Sequence, residues 1–268
     1  MTPTGGYASD TYFLETWDAL VAAKIDPAQF ARRHGLLLLK PDAAITGAMR
    51  PAVSWLLAYG YRIVGAYPVS LTRLHLRALW YFNWHRATPE RRLLADRLAG
   101  LSRSVVLVLT HPDDDLPVSS RLTAEKGPAD PNLRETGHLR SVLSAGTYLL
   151  NLVHSADHPD DVLRELGVYF GEPQLAEVIV ACASDSDVSA EAFRLVDRIE
   201  AAVIRRPGDL TAAQDAVWAD LLAAGMTERP QTGQEWLSAL DDASRRGVLL
   251  DVWFRTVIES AHRPLHRA

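Results

Sequence analysis

The stretch GLLLLKPDA, residues 35–43, sets the period of the whole N-terminal half. Four consecutive leucines between a glycine and a Lys-Pro pair show no 3.6-residue spacing and no alternation. Such a short continuous apolar run fits a strand buried on both faces. Pro41 then stops the strand, and Lys40 stands at its end, where its cation projects over the sheet edge next to Asp42. A surface lysine is the plain alternative for Lys40 on this stretch alone.

On the N-terminal side of this run, residues 9–34 read as helical. Ser9 or Asp10 can cap a stretch with apolar residues at Phe13, Leu14, Trp17, Leu20 and Val21, and DPAQFARRHG reads as a second short helix. On its C-terminal side, residues 46–59 have helical spacing, and Gly60 sits where a left-handed C-cap belongs. YRIVGAYPVSL (61–71) is β-branched and aromatic, hence a second strand. Residues 72–84 form an aromatic-rich helix, and Thr88-Pro89-Glu90 supplies an N-cap, an N1 proline and an acidic first turn for another. SVVLVLTH (104–111) is the clearest strand. A polar stretch runs from 124 to 137, TYLLNLVH (147–154) reads as a fourth strand, and HPDDVLRELGVYF (158–170) as a helix with acidic residues at its N-terminus. Strands interspersed with helices give an α/β or α+β sheet domain.

Past residue 185 the strand signal vanishes. Three amphipathic stretches, VSAEAFRLVDRIEAAVIRR, TAAQDAVWADLLAAGM and GQEWLSALDDASRRGVLLDVWFRTVIESA, are separated by RPGD and ERPQTG. The expected organisation is a helical extension at 1–34, a sheet domain at 35–185 and an all-helical module at 186–268.

Composition narrows the function classes. With 28 Lys and Arg against 33 Asp and Glu, the net charge is -5, and the Arg pairs at 32–33, 91–92, 205–206 and 245–246 are scattered. No basic stripe for nucleic acid is present. Cys182 is the only cysteine, so neither an internal disulfide nor a cysteine zinc cluster can form. No apolar run approaches a membrane span, and the expectation is a soluble cytoplasmic protein.

The chemistry-bearing candidate is NLVHSADHPDDVLRE, residues 151–165. His154 can be read as a nucleophile, a metal ligand or a polar residue at a helix mouth. Asn151 and His154 are three apart, so on a regular strand they face opposite ways; a bulge or the strand's end must separate them if they share a site. Glu165 follows eleven residues after His154, where it can fold back onto the imidazole and fix its tautomer, or pair with an arginine on the helix surface.

Taken together, LLLLKPDAAITGAMRPAVSWLLAYGYRIVGAYPVS, NLVHSAD and ELGVYFGEPQL resemble a nucleoside diphosphate kinase over roughly residues 35–176. The match includes Lys40, Pro41, Asp42, Gly47, Gly60, Tyr61, Ile63 and Val64 at the first motif. At the second it includes Asn151, His154, Asp157, Glu165 and Tyr169-Phe170. The resemblance implies a ferredoxin-like α+β sandwich, with the C-terminal helical module as an addition. It implies phosphoryl transfer from ATP or another nucleoside triphosphate through a phosphohistidine at His154, supported by Glu165, to a nucleoside diphosphate or related acceptor. It further implies that Lys40 and Asn151 bind the ribose hydroxyls, that Arg121 and Arg140 bind phosphates, and that Tyr81 lies close to the nucleophile. Mg²⁺ arrives with the nucleotide's phosphates, and the family's assemblies are homo-oligomers.

The sequence departs from the family pattern in places. Ser155 and Ala156 replace the glycine and serine after the histidine, and the phosphate-binding threonine has no clean counterpart, with Lys126 a candidate substitute. The base-stacking phenylalanine is missing, with Trp84 a candidate aromatic face. These departures support an alternative: a nucleotide-binding module with reduced or repurposed catalysis, acting through its helical additions. A third reading comes from VVLVLTHPDDD (105–115), which resembles the metal motif of zinc-dependent deacetylases. That family's motif opens its fold, whereas this one comes a hundred residues in. Helix capping is the cheaper account of both HPDD stretches, and no resident metal is expected.

Overall fold

In a computed structural model, which describes residues 7–144 and 146–267, four strands form one antiparallel sheet in the order β2-β3-β1-β4. They are β1 (Gly35–Leu39), β2 (Arg62–Val69), β3 (Ser104–Thr110) and β4 (Val153–Ser155). β1 pairs with both β3 and β4, and β2 pairs with β3. β1 and β2 therefore run parallel to each other with helices between them, as do β3 and β4. Two interleaved βαβ units of this kind make the ferredoxin-like sandwich that the resemblance implied.

Every residue of β1 and β3 is buried, because helices cover both faces. On one face lie α1 (Thr11–Ala22), α2 (Pro27–Arg33), α5 (Arg73–Leu79), α9 (Pro159–Tyr169) and α10 (Gln174–Ala183), packed on Leu36, Leu38, Val106 and Val108. On the other lie α3 (Pro41–Thr46), α4 (Met49–Ala58), α7 (Val118–Lys126), α8 (Leu139–Val142) and α11 (Ser189–Ala201), packed on Leu37, Leu39, Leu107 and Leu109. An alternating strand has one wet face; these do not, so the leucine run stays unbroken.

α1 and α9 approach so closely that a Cβ on Gly167 would stand 2.3 Å from the carbonyl oxygen of Tyr12. On the same face, Cys182 of α10 is buried beneath the sheet, its Sγ 3.9 Å from the Tyr67 hydroxyl.

α11 packs on the sheet although it lies beyond residue 185. Ala192, Leu195, Val196 and Ile199 are buried with α4 and β1, and Glu200 accepts from the Met49 amide at 2.8 Å. That carboxylate caps α4, whose own N-cap residue, Ala48, has no side chain to do so. The later helices α12 (Leu210–Ala223), α13 (Gly233–Arg245) and α14 (Val252–His262) share a second core with Ile45, Leu98 and Leu150. Leu98 belongs to α6 (Pro89–Ala99), and α14 is clamped to that helix through Glu259, which takes Arg97 as well as Arg255 and Arg263.

Several elements differ from the sequence reading. Of the expected strand at 147–154 only Val153 and His154 are paired, in a short β4 that runs on to Ser155, because Leu152 has a left-handed φ of 67°. α7 precedes the polar loop, and α10 fills a stretch to which the sequence reading gave no element. The aromatic helix ends at Leu79, and Trp84–Arg86 is a separate 3-10 turn. The final long amphipathic stretch divides into α13 and α14 at Gly247, φ 73°. Residues 1–6 of the N-terminal extension lie outside the described residues. No helix among the described residues is long and apolar enough to cross a membrane.

Candidate active site

The end of β1 and the start of β4 build one site through a turn. Leu152 sits between Asn151 and Val153, whose carbonyl and amide bond to each other at 2.8 Å. With its positive φ this is a γ-turn, a conformation strained for a bulky residue. The KPD stretch holds it in place. The Lys40 amide donates to the Leu152 carbonyl at 2.9 Å, and Asp42 Oδ2 accepts from the Leu152 amide at 2.9 Å. The turn reverses the side-chain alternation, so Asn151 and His154 both line one cavity despite their spacing.

That cavity, about 740 Å³, is lined by His154 and Ser155 of the edge strand β4. The His154 imidazole lies in it with Nε2 2.8 Å from Glu165 Oε1. Glu165 reaches back from α9, and Tyr169, one turn further on, donates to its other oxygen at 3.4 Å. The nearby Arg164 is not a competitor for Glu165, because its Nε is bonded to Asp10 at 2.8 Å. With Nε2 facing a carboxylate, Nδ1 is the ring nitrogen left to react.

Lys40, Arg140 and Lys126 are three of the cations that line the cavity. Lys40 Nζ bonds to Asn151 Oδ1 and to the Leu149 carbonyl, each at 2.8 Å, and burial pushes its pKa down against the pull of Asp42. Arg140 is held by the carbonyls of Gly127 and Val153, both at 2.7 Å, and its buried Nε has no partner. Lys126, at the end of α7, bonds to Ser155 Oγ at 2.5 Å and pairs with Asp157 at 3.2 Å. Burial lowers the Lys126 pKa to about 8. Burial alone would raise the Asp157 carboxyl, but the Lys126 charge reverses that and holds it below the ordinary range.

Two expected site residues stand outside the cavity. Arg121 projects from α7 into a carboxylate group, bonded to Asp115 at 2.5 Å and paired with Asp113 and Glu125 at 3.5 and 3.8 Å. Thr123, two residues on and so on another side of the same helix, lines the cavity instead. Tyr81 is 67% exposed, and Trp80 takes the inward position, its ring edge-on to His154 at 5.2 Å. The sequence LWYFNW has aromatics at four of six positions, and the end of α5 at Leu79 decides which one turns inward. Trp84 does line the cavity. Arg91, Tyr148 and His266 line it too, and only contacts between distant segments reveal them.

The two HPDD stretches part company. His158 to Asp161 form a capping box at the start of α9, with the His158 amide donating to Asp161 at 3.0 Å. His111 to Asp114 do not cap a helix, because α7 begins only at Val118; His111 instead accepts from the Asp113 amide at 3.1 Å and shapes a loop. That corrects the capping account for the first stretch. Among the described residues no three His, Cys, Asp or Glu side chains converge to hold a metal.

The sequence model of the nucleoside diphosphate kinase family matches residues 33–175. Nucleoside diphosphate kinase from Thermococcus kodakarensis is 29% identical over 144 residues, covering 53% of this chain and 79% of that protein. The enzyme of the same name from Pyrococcus abyssi is 26% identical over 151 residues, covering 54% of this chain and 87% of its own. A crystal structure of the Aquifex aeolicus nucleoside diphosphate kinase is similar at 22% identity and a TM-score of 0.44, over 52% of this chain and 96% of that one. The family match spans more than half of the 268 residues and takes in both the KPD turn and the His154–Glu165 pair: this chain belongs to the nucleoside diphosphate kinase family.

Proposed function

We propose that the chain transfers a phosphoryl group from a nucleoside triphosphate to His154 and from there to a nucleoside diphosphate or related acceptor. The observation that carries this reading is the 2.8 Å contact of His154 Nε2 with Glu165, in a cavity lined by Lys40, Lys126, Arg140 and Asn151. The Nδ1 lone pair attacks the γ-phosphorus, the P–O bond to the leaving diphosphate breaks, and the nucleoside diphosphate departs with that electron pair. In the second half-reaction a terminal phosphate oxygen of the acceptor attacks the same phosphorus and the N–P bond breaks. Glu165 stabilises the positive charge the ring acquires in between. The three cations balance charge on the transferring group, and Mg²⁺ enters as part of the nucleotide substrate. Self-association, which the resemblance implies, and a cytoplasmic location belong to the same reading.

Incubation with γ-labelled ATP and Mg²⁺ tests it. The expected product is an acid-labile, base-stable label that His154→Ala abolishes and His158→Ala leaves intact. Glu165→Gln slows labelling by about 10²–10⁴, the usual cost of losing one supporting group. Ser155 and Ala156 favour one other outcome, in which the wild type binds ATP but never becomes labelled; the chain is then a nucleotide-binding module.

A further inference from the structure

The last described residues, beyond α14, return to the candidate site. The segment pairs with the chain between α5 and α6 through a bridge between Ala87 and His266. The Arg267 amide donates to the Arg86 carbonyl at 2.9 Å, and the Thr88 hydroxyl to the Pro264 carbonyl at 2.6 Å. Leu265 is buried beneath it. Main chain and Leu265 thus hold the segment, and the His266 side chain is left to face the cavity.

Its imidazole stands 4.5 Å from the ring of Tyr148 at 77°, and the Arg91 guanidinium lies over the same tyrosine at 4.9 Å. The Tyr148 carbonyl accepts from Asn151 Nδ2 at 2.9 Å, which ties this corner to the Lys40–Asn151 pair. Two rings nearly perpendicular make a corner into which a flat group fits by lying on one ring and turning its edge to the other. Burial and the Arg91 charge keep the imidazole below its ordinary pKa, so the wall it offers at pH 7 is uncharged.

We propose that His266 is a specificity-determining residue of the nucleotide site, forming with Tyr148 an aromatic corner that receives the nucleobase, so that the C-terminal module completes a pocket whose phosphate end lies in the family domain. This rests on the nucleotide reading of the cavity. It assigns function to a segment more than eighty residues beyond the family match, which ends at 175.

Calorimetric titration of the full chain with ATP and with inorganic tripolyphosphate, which has no base, separates the contributions. His266→Ala is expected to weaken ATP about tenfold, within the range of one base–aromatic contact, and to leave tripolyphosphate affinity and the melting temperature unchanged. His266→Phe is expected to bind ATP as the wild type does. The inference is overturned if His266→Ala binds ATP normally, if it loses ATP and tripolyphosphate alike, or if His266→Phe is as weak as His266→Ala. A wild type that neither binds ATP nor becomes labelled sinks the nucleotide reading, and this inference with it. Normal wild-type labelling beside an unaffected His266→Ala sinks this inference alone.

Discussion

Lys126 makes the site sensitive to alkali in a calculable way. Lys126 is 5% exposed, and burial moves its pKa from 10.5 to about 8. The native chain therefore releases this proton at lower pH than the unfolded chain does. Below pH 8 the buried charge costs stability, up to about 3 kcal/mol at about 1.4 kcal/mol per pH unit. That cost disappears as pH rises from about 8 to 10.5. Phosphoryl transfer runs the other way, because the neutral amine no longer balances phosphate charge. The expected kcat/KM for His154 labelling falls about tenfold per pH unit above pH 8. The decline in kcat begins at higher pH, since bound phosphates stabilise the ammonium. Lys126→Arg, charged throughout, extends the plateau by at least one pH unit, with thermal melts confirming that both proteins are folded. A flat wild-type profile between pH 7 and 9.5, or the same decline in Lys126→Arg, refutes the assignment.

Gly167→Ala forces α1 and α9 apart against the Tyr12 carbonyl; despite alanine's better helix propensity, a net loss of about 1–3 kcal/mol is expected in denaturant titration. A chain ending at 185 loses the buried residues of α11 and is expected to be less stable than one ending at 203 by at least the roughly 2–5 kcal/mol of one large core truncation. Equal melts for the two would place the domain boundary before α11. Trp80→Ala is expected to slow His154 labelling while Tyr81→Ala does not, and a reversal of that order would show that Tyr81 turns inward in solution.

The legible parts of this chain were those written in local spacing. The leucine run, Thr88-Pro89-Glu90 and the apolar β3 each carry a period or a cap within a few residues, and each stands in the structure at its expected place. Asn151-x-x-His154 raised a geometric difficulty that named its own solution, a break between the two, and Leu152 supplies it. Arg121 and Tyr81 illustrate the limit. Each lies within two residues of the side chain that lines the cavity, and helix phase at that precision depends on where α7 begins and α5 ends. The HPDD at 111–114 looks like a cap because the residues suit one, but no helix follows at once. His266 was out of reach of local reasoning, because its role arises from pairing with a segment far away in the sequence.

The one cysteine, beneath the sheet next to Gly65 and Tyr67, has a chemical consequence. Burial raises its thiol pKa to about 11, so at pH 7 about one molecule in ten thousand carries the thiolate that alkylating agents and peroxides attack. Thiol reagents therefore leave Cys182 of the native chain untouched. A second cysteine placed on an exposed loop, at Ser102 for example, becomes the sole point of attachment for a dye, without first removing Cys182.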